Sequence, residues 1–186
     1  MSTLKLSSSA TGTGVFTINS PNSDTDRTLT FPDKAGVIAA GSGSVIQFVQ
    51  NVPQLARFST TSTTYQATGF SVDITPQYST SAIYVMGTML VLNSVNYTWV
   101  DVRRNGTQFL STSNSSDMGI GYYGGTVWDT RSFCIKDEPN TTSQITYELY
   151  IRDHGSGGTC YLGASTTVPT GTQSNNVYLY ALEVVQ

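Results

Sequence analysis

The chain has 186 residues, with 9 Lys and Arg against 12 Asp and Glu, a formal net charge of −3 and a pI near 4.9. This balance argues against a nucleic-acid partner, and no run approaches the ~18 consecutive apolar residues of a membrane helix, so membrane insertion is not expected. Charged residues are 11% of the chain, against about 25% in ordinary domains. Ser and Thr together number 51 and Gly 17, leaving no long window of the residues that sustain helices and many that favour strands and turns. The polar N-terminus lacks the hydrophobic stretch of a signal peptide, which points to synthesis and folding in a cytoplasm. Cys134 and Cys160, the only cysteines, cannot define a disulfide framework and are expected as two free, largely buried thiols.

Residues 1–43 read as a first unit. Val15–Asn19 and Arg27–Phe31 are short strand candidates separated by the turn residues Ser20–Asp24. Pro32–Gly36 is a second turn, and Gly41-Ser42-Gly43 a hinge. With so few apolar side chains this unit cannot bury a core alone and must pack against something else or stay mobile. Residues 44–186 form the second unit, which opens with a strand at Val45–Val49 and a shorter one near Arg57–Ser59. Phe70, Val72 and Ile74 share one face of the next strand, with Ser71 and Asp73 on the other.

Ala82–Leu92 is the longest nearly unbroken apolar run and carries no charge. A strand with one wet face alternates, so this run predicts a strand covered on both faces, the second cover coming from another sheet or another subunit. Tyr97, Trp99 and Asp101 then alternate with Thr98, Val100 and Val102, and Asn105-Gly106 predicts a two-residue hairpin turn with positive φ at both positions, returning through Thr107–Leu110. Residues 111–126 break the pattern with a Ser/Asn loop followed by a stretch rich in Gly and Tyr. Strands resume at Val127–Lys136, turn at Asp137–Asn140, and alternate cleanly through Ile145, Tyr147, Leu149 and Ile151. After the turn Asp153–Gly158 come Cys160–Leu162, a polar loop at 163–176 and a last strand, Val177–Val185. This spacing without helical interludes predicts an all-β, antiparallel, jelly-roll-like sandwich. The two-sided runs at 82–92 and 177–185 predict a homo-oligomer.

The order of several short motifs resembles bacteriophage tail fibre proteins. Arg27-Thr28-Leu29-Thr30-Phe31-Pro32-Asp33-Lys34-Ala35-Gly36-Val37-Ile38 is similar to their Thr-Leu-x-Leu-Pro-Asp strand and turn, with Phe31 where Leu is commoner. Ser44–Gln50 looks like the segment that opens the distal domain, and Gly69–Pro76 followed by Ser79-Thr80-Ser81 like the next motif. Asp137-Glu138-Pro139 and Leu182-Glu183-Val184 fit the same pattern. The likeness covers most of the chain and is most marked to fibres of phages of aquatic bacteria, including cyanobacteria. It implies a virion location, a tail or baseplate partner for residues 1–43, and a trimeric receptor-binding domain at 44–186 that recognises a bacterial surface glycan or outer-membrane protein. The chain is short for a fibre and has no heptad shaft, so a structural tail adaptor or decoration protein is the alternative.

Chemistry-bearing residues are few. His154 is the only histidine and sits in a polar turn; no Gly-x-Ser-x-Gly elbow accompanies it. Three copies in a trimer would be needed for a His metal site, and no cofactor motif is present. Asp129, Asp137, Glu138, Glu148 and Asp153 are the only carboxylates that would serve a glycosidase pair; a binding protein rather than an enzyme is expected, with a polysaccharide depolymerase the minor alternative. The aromatic residues are the strongest lead. Tyr122, Tyr123, Trp128 and Tyr161 lie in or near Gly-rich loops, a composition that suits adaptable binding surfaces, although Trp128 and Tyr161 equally suit core or interface positions. With His154 they form the candidate receptor-binding set, in loops 111–126 and 154–165.

Overall fold

The computed structural model describes residues 42–51, 57–95, 97–109, 122–123, 129–155, 157–163 and 177–186, together with Thr17 and Asp24. The chain divides into two compact units, Met1–Ile38 and Ala39–Gln186. The strand candidates at Val15–Asn19, apart from Thr17, and Arg27–Phe31 lie outside the described residues, as does Trp128.

Ala39–Gln186 is all-β among its described residues, with strands in two antiparallel sheets. In chain order they are β1 (Val45–Gln50), β2 (Phe58–Thr60), β3 (Gln66–Ile74), β4 (Ala82–Asn93), β5 (Tyr97–Arg104), β6 (Thr107–Gln108), β7 (Tyr122–Tyr123), β8 (Asp129–Asp137), β9 (Ile145–Asp153), β10 (Cys160–Leu162) and β11 (Val177–Val184). The first sheet runs β1-β11-β4-β10-β2, with β8 also on β4; the second runs β3-β9-β5-β6, with β7 also on β5. The chain therefore changes sheet between β2 and β3, β3 and β4, β4 and β5, β7 and β8, β8 and β9, and β9 and β10, as expected of a sandwich. β1 and β11 are adjacent, and the pairing extends past them through Gly43 N–H to Val185 O at 2.7 Å and Val185 N–H to Ser44 O at 3.0 Å.

β4 is the spine of the first sheet because its apolar run pairs on both edges. Tyr84 lies opposite Leu182 of β11 and opposite Lys136 of β8; Met86 lies between Tyr180 and Cys134. Its odd-numbered residues point into the sandwich, where Ile83, Val85, Met89 and Val91 are fully buried. They meet Phe70, Val72 and Ile74 of β3, Val100 and Val102 of β5, and Ile145, Leu149 and Ile151 of β9 in one core. Each such side chain contributes roughly 1.5–3 kcal/mol. Gly87 is required by close approach: a Cβ there would lie 2.6 Å from the Phe133 ring and 2.9 Å from Leu179.

The expectation of cover on both faces of 82–92 is met on one face only by the described residues. The even-numbered residues Tyr84, Met86, Leu90 and Leu92 are half-buried on the outer face, beside Tyr180 and Leu182. Phe48, 58% exposed, stacks on Tyr180 with ring centroids 5.7 Å apart. The cysteines are both free, but only Cys160 is buried; Cys134 is exposed. The correction follows from β8, where Phe133 and Ile135 turn toward the core and the alternation sends Cys134 outward with Lys136. Burial pushes the Cys160 thiol up to about 11, so it is a packing residue rather than a nucleophile.

Buried polar groups tie the layers together. Tyr147 Oη of the second sheet donates to Asp137 Oδ2 of the first at 2.6 Å, and Arg104 Nη1 lies 3.1 Å from both Asp137 oxygens. Glu183, fully buried on β11, accepts the backbone N–H groups of Gln77 at 2.8 Å and Tyr78 at 3.1 Å, pinning the turn after β3.

Candidate binding face

The second sheet turns an unusual layer away from the core. Along β5 the even-numbered residues Thr98, Val100 and Val102 face inward, so Tyr97, Trp99, Asp101 and Arg103 occupy the outer face. The register with β9 sets Trp99 opposite Arg152, Asp101 opposite Tyr150 and Arg103 opposite Glu148. Each guanidinium thus falls beside a ring. The Arg103 guanidinium lies 4.6 Å from the centre of the Tyr150 ring and 5.0 Å from that of Tyr65; the Arg152 guanidinium lies 5.3 Å from Tyr65 and 5.8 Å from Trp99. Such contacts contribute about 0.5–1 kcal/mol each at exposed sites and more when desolvated. Tyr65, delivered by the segment ahead of β3, touches both cations.

His154 closes one end of the layer. The Trp99 indole N–H donates to His154 Nδ1 at 2.9 Å, and the Tyr97 ring meets the imidazole edge-on at 5.2 Å. As an acceptor Nδ1 carries no proton, which places the proton of the neutral ring on Nε2. Asp153, just before it, is buried and accepts from Asn93 Nδ2 at 3.1 Å and from the amides of Gly155 at 3.0 Å and Gly157 at 3.2 Å. Burial alone would raise the Asp153 carboxyl, but Asn93 and these amides outweigh it and hold the group below its ordinary range. The turn that carries His154 is built on this carboxylate.

Asp101 is the anomaly of the layer. Its side chain is 0% exposed although it stands on the outer face, and Oδ2 takes Arg103 Nε at 3.0 Å. Oδ1 has no hydrogen-bond partner among the described residues. Leaving a buried acceptor unsatisfied costs about 1–3 kcal/mol. Burial raises the Asp101 carboxyl above its usual range; the Arg103 guanidinium and the Val102 amide draw it back only in part.

The residues singled out from the sequence are distributed as follows. His154 belongs to the layer. Tyr123 pairs with Tyr97 and Tyr122 with Thr98, so part of the Gly- and Tyr-rich stretch is a strand, β7, added to the edge of β5. Tyr161 stands elsewhere, between the buried Cys160 and Leu162 on the outer side of the first sheet, opposite Leu92 and with the Arg57 guanidinium 4.6 Å from its ring centre. The five candidate carboxylates are engaged separately: Asp129 with Arg131, Glu138 with Lys136, Asp137 with Arg104 and Tyr147, Glu148 with the Gly69 amide, and Asp153 in its turn. Among the described residues no group of three or more His, Cys, Asp or Glu is placed to hold a metal. Sequence reading missed Tyr65, Tyr150, Asp101 and both arginines, because the row they make exists only once the β5–β9 register is known.

No protein-family model matches the chain, and no curated protein matches it. Among solved structures, a chain of infectious bursal disease virus, Gx strain, aligns over 85% of this chain and 42% of its own length, with 13% identity and a TM-score of 0.39. The VP2 subviral particle of infectious bursal disease virus aligns over 77% of this chain and 38% of its own, with 17% identity and a TM-score of 0.37. This chain spans less than half the length of either, and a likeness at this level carries no argument about function.

Proposed function

We propose that the chain is a virion adhesion protein of the phage tail-fibre type. Residues 1–43 attach it to a tail or baseplate protein, and residues 44–186 bind a bacterial surface receptor without turning it over. The supporting motifs are those of the sequence resemblance. The observation that carries the binding role is the layer of Tyr65, Trp99, Tyr150, Arg103 and Arg152, which lies outside the core on the outer face of the second sheet. Rigid rings interleaved with guanidiniums present large contact area at low entropic cost, as binding surfaces do. The opposite outer face, with Phe48, Tyr84, Met86, Tyr180 and Leu182, serves homotrimer assembly in this reading. Division of labour between the two faces lets the chain assemble and bind at once.

The test is binding of the fluorescently labelled protein to a panel of aquatic bacteria and cyanobacteria by flow cytometry. Saturable binding to some strains, lost in Trp99→Ala at unchanged melting temperature, supports the assignment. Absence of binding to every strain, with the protein recovered on purified virions, would favour the structural tail component instead.

A further inference from the structure

We infer that the Arg103 fork is a saccharide subsite and that it takes an uncharged sugar, through a pair of neighbouring hydroxyls, rather than an acidic one. The inference rests on the binding role just proposed for this face and assigns its ligand class.

Arg103 is held on three sides. Its Nε is spent on Asp101 Oδ2 at 3.0 Å, and the rings of Tyr150 and Tyr65 flank the guanidinium at 4.6 and 5.0 Å. Nη1 and Nη2 make no hydrogen bond to any described residue, and the side chain keeps 22% of its surface in solvent. The geometry is that of a guanidinium whose plane is fixed and whose end-on pair of N–H₂ groups is left for an outside acceptor. Asp101 is the positioning residue. It is fully buried with Oδ1 unpartnered among the described residues, a position an apolar side chain would fill at less cost if packing were its only purpose.

Charge decides between the two ligands that fit such a fork. Facing Arg103 are Asp101 on its own strand, Glu148 directly opposite, and Arg152 beyond Tyr65, with His154 at the end of the row accepting from the Trp99 indole. Two cations are matched by two carboxylates. A carboxylate or phosphate ester would add a third negative charge beside a desolvated Asp101, where like charges repel most strongly. A hydroxyl pair carries no such penalty. Its two oxygens accept from Nη1 and Nη2, and the C–H face of the sugar ring lies against Trp99 or Tyr65, as apolar ring faces do.

The test uses the full chain on an immobilised panel of neutral and uronic-acid-containing bacterial-type oligosaccharides, at 50 mM and 500 mM NaCl. The expected result is binding to neutral members that is the same at both salt concentrations. Arg103→Lys keeps the charge but not the fork and should lose affinity by about tenfold or more. Asp101→Asn unbalances the face by one positive charge and should bring in acidic members, with binding that now falls as salt rises. A purely structural role for Asp101 would not produce that exchange of preference. Binding confined to acidic members, or binding to neutral members that salt abolishes, overturns the inference, as does an Arg103→Lys variant that binds neutral members as well as the parent. Should either variant fail to fold, the salt response of the unaltered protein decides alone. If cells are bound but no neutral oligosaccharide is, the sugar assignment fails while the adhesion reading stands; if no cell is bound, the adhesion reading itself fails.

Discussion

The indole of Trp99 and the imidazole of His154 share one hydrogen bond, Nε1–H to Nδ1 at 2.9 Å, between a strand in the middle of a sheet and a turn at its edge. The bond fixes the plane of the only tryptophan among the described residues, and it does so from a residue that is itself exposed. His154→Ala should therefore release the indole while leaving the core untouched. The expected melting-temperature change is small, since exposed substitutions are usually worth within about 0.5 kcal/mol. Affinity for cells should fall severalfold and Trp fluorescence should shift to the red. A large fall in melting temperature would show that His154 supports the fold instead.

Tyr147 makes the converse prediction. It is buried between the sheets, and its hydroxyl is the direct link from β9 to Asp137 at the end of β8. Tyr147→Phe should cost about 1.5–3 kcal/mol, the range for a bond to a charged partner, with melting temperature lowered by several degrees. Burial, then the Asp137 charge, push the Tyr147 phenol well above its usual 10.0. A folded value above the unfolded one means the folded chain holds this proton more tightly. The stability so contributed is complete below about pH 10 and is lost as pH rises toward the folded value. Thermal melts of the parent chain should fall more steeply above pH 10 than those of Tyr147→Phe.

Gly87 should tolerate no side chain. Gly87→Ala drives a methyl into the Phe133 ring and Leu179, with an expected loss of about 1–3 kcal/mol from overpacking. Combining it with Phe133→Leu should recover part of the loss in a denaturant melt. Additive losses would mean that the backbone of β4, not the ring, absorbs the strain.

The outer face of the first sheet is expected to be covered by other copies. Met86 lies at its centre, between Tyr180 and Cys134. Light scattering of the parent chain at micromolar concentration should give a trimer, and Met86→Glu, which would bury an unpaired charge, a folded monomer. A monomeric parent would refute the assembly proposed here.

The elements that sequence alone made legible are those whose cause is local. Asn105 and Gly106 form the expected turn, with φ of 48° and 77°, because only those dihedrals suit a two-residue hairpin. Ile145, Tyr147, Leu149 and Ile151 are buried as their alternation requires. The exposure of Cys134 was also written locally, in its sharing a side of β8 with Lys136, and was obscured by the general tendency of cysteine to be buried. The binding layer was not legible in the same way. Tyr65 sits in a polar run with no strand signal, and Arg103 and Arg152 are 49 residues apart in the chain. They meet because β5 and β9 pair in one particular register, a tertiary fact with no local signature. Asp101 alternates like an exposed residue, yet it is fully buried, with Arg103 of its own strand against it and Tyr150 opposite.

The pairing of β1 with β11, continued by Gly43 and Ser44 against Val185, sets a clock for the newborn chain. Among the described residues, the earliest strand of the sandwich has its only sheet partner in the latest, so β1 waits through the synthesis of more than a hundred residues for it. At about 5–20 residues per second, that wait lasts several seconds or more. Val45 and Phe48, more than half exposed even in the finished fold, are the side chains most open to a wrong partner during that interval. The seam between β1 and β11 cannot close before the last strand has been made.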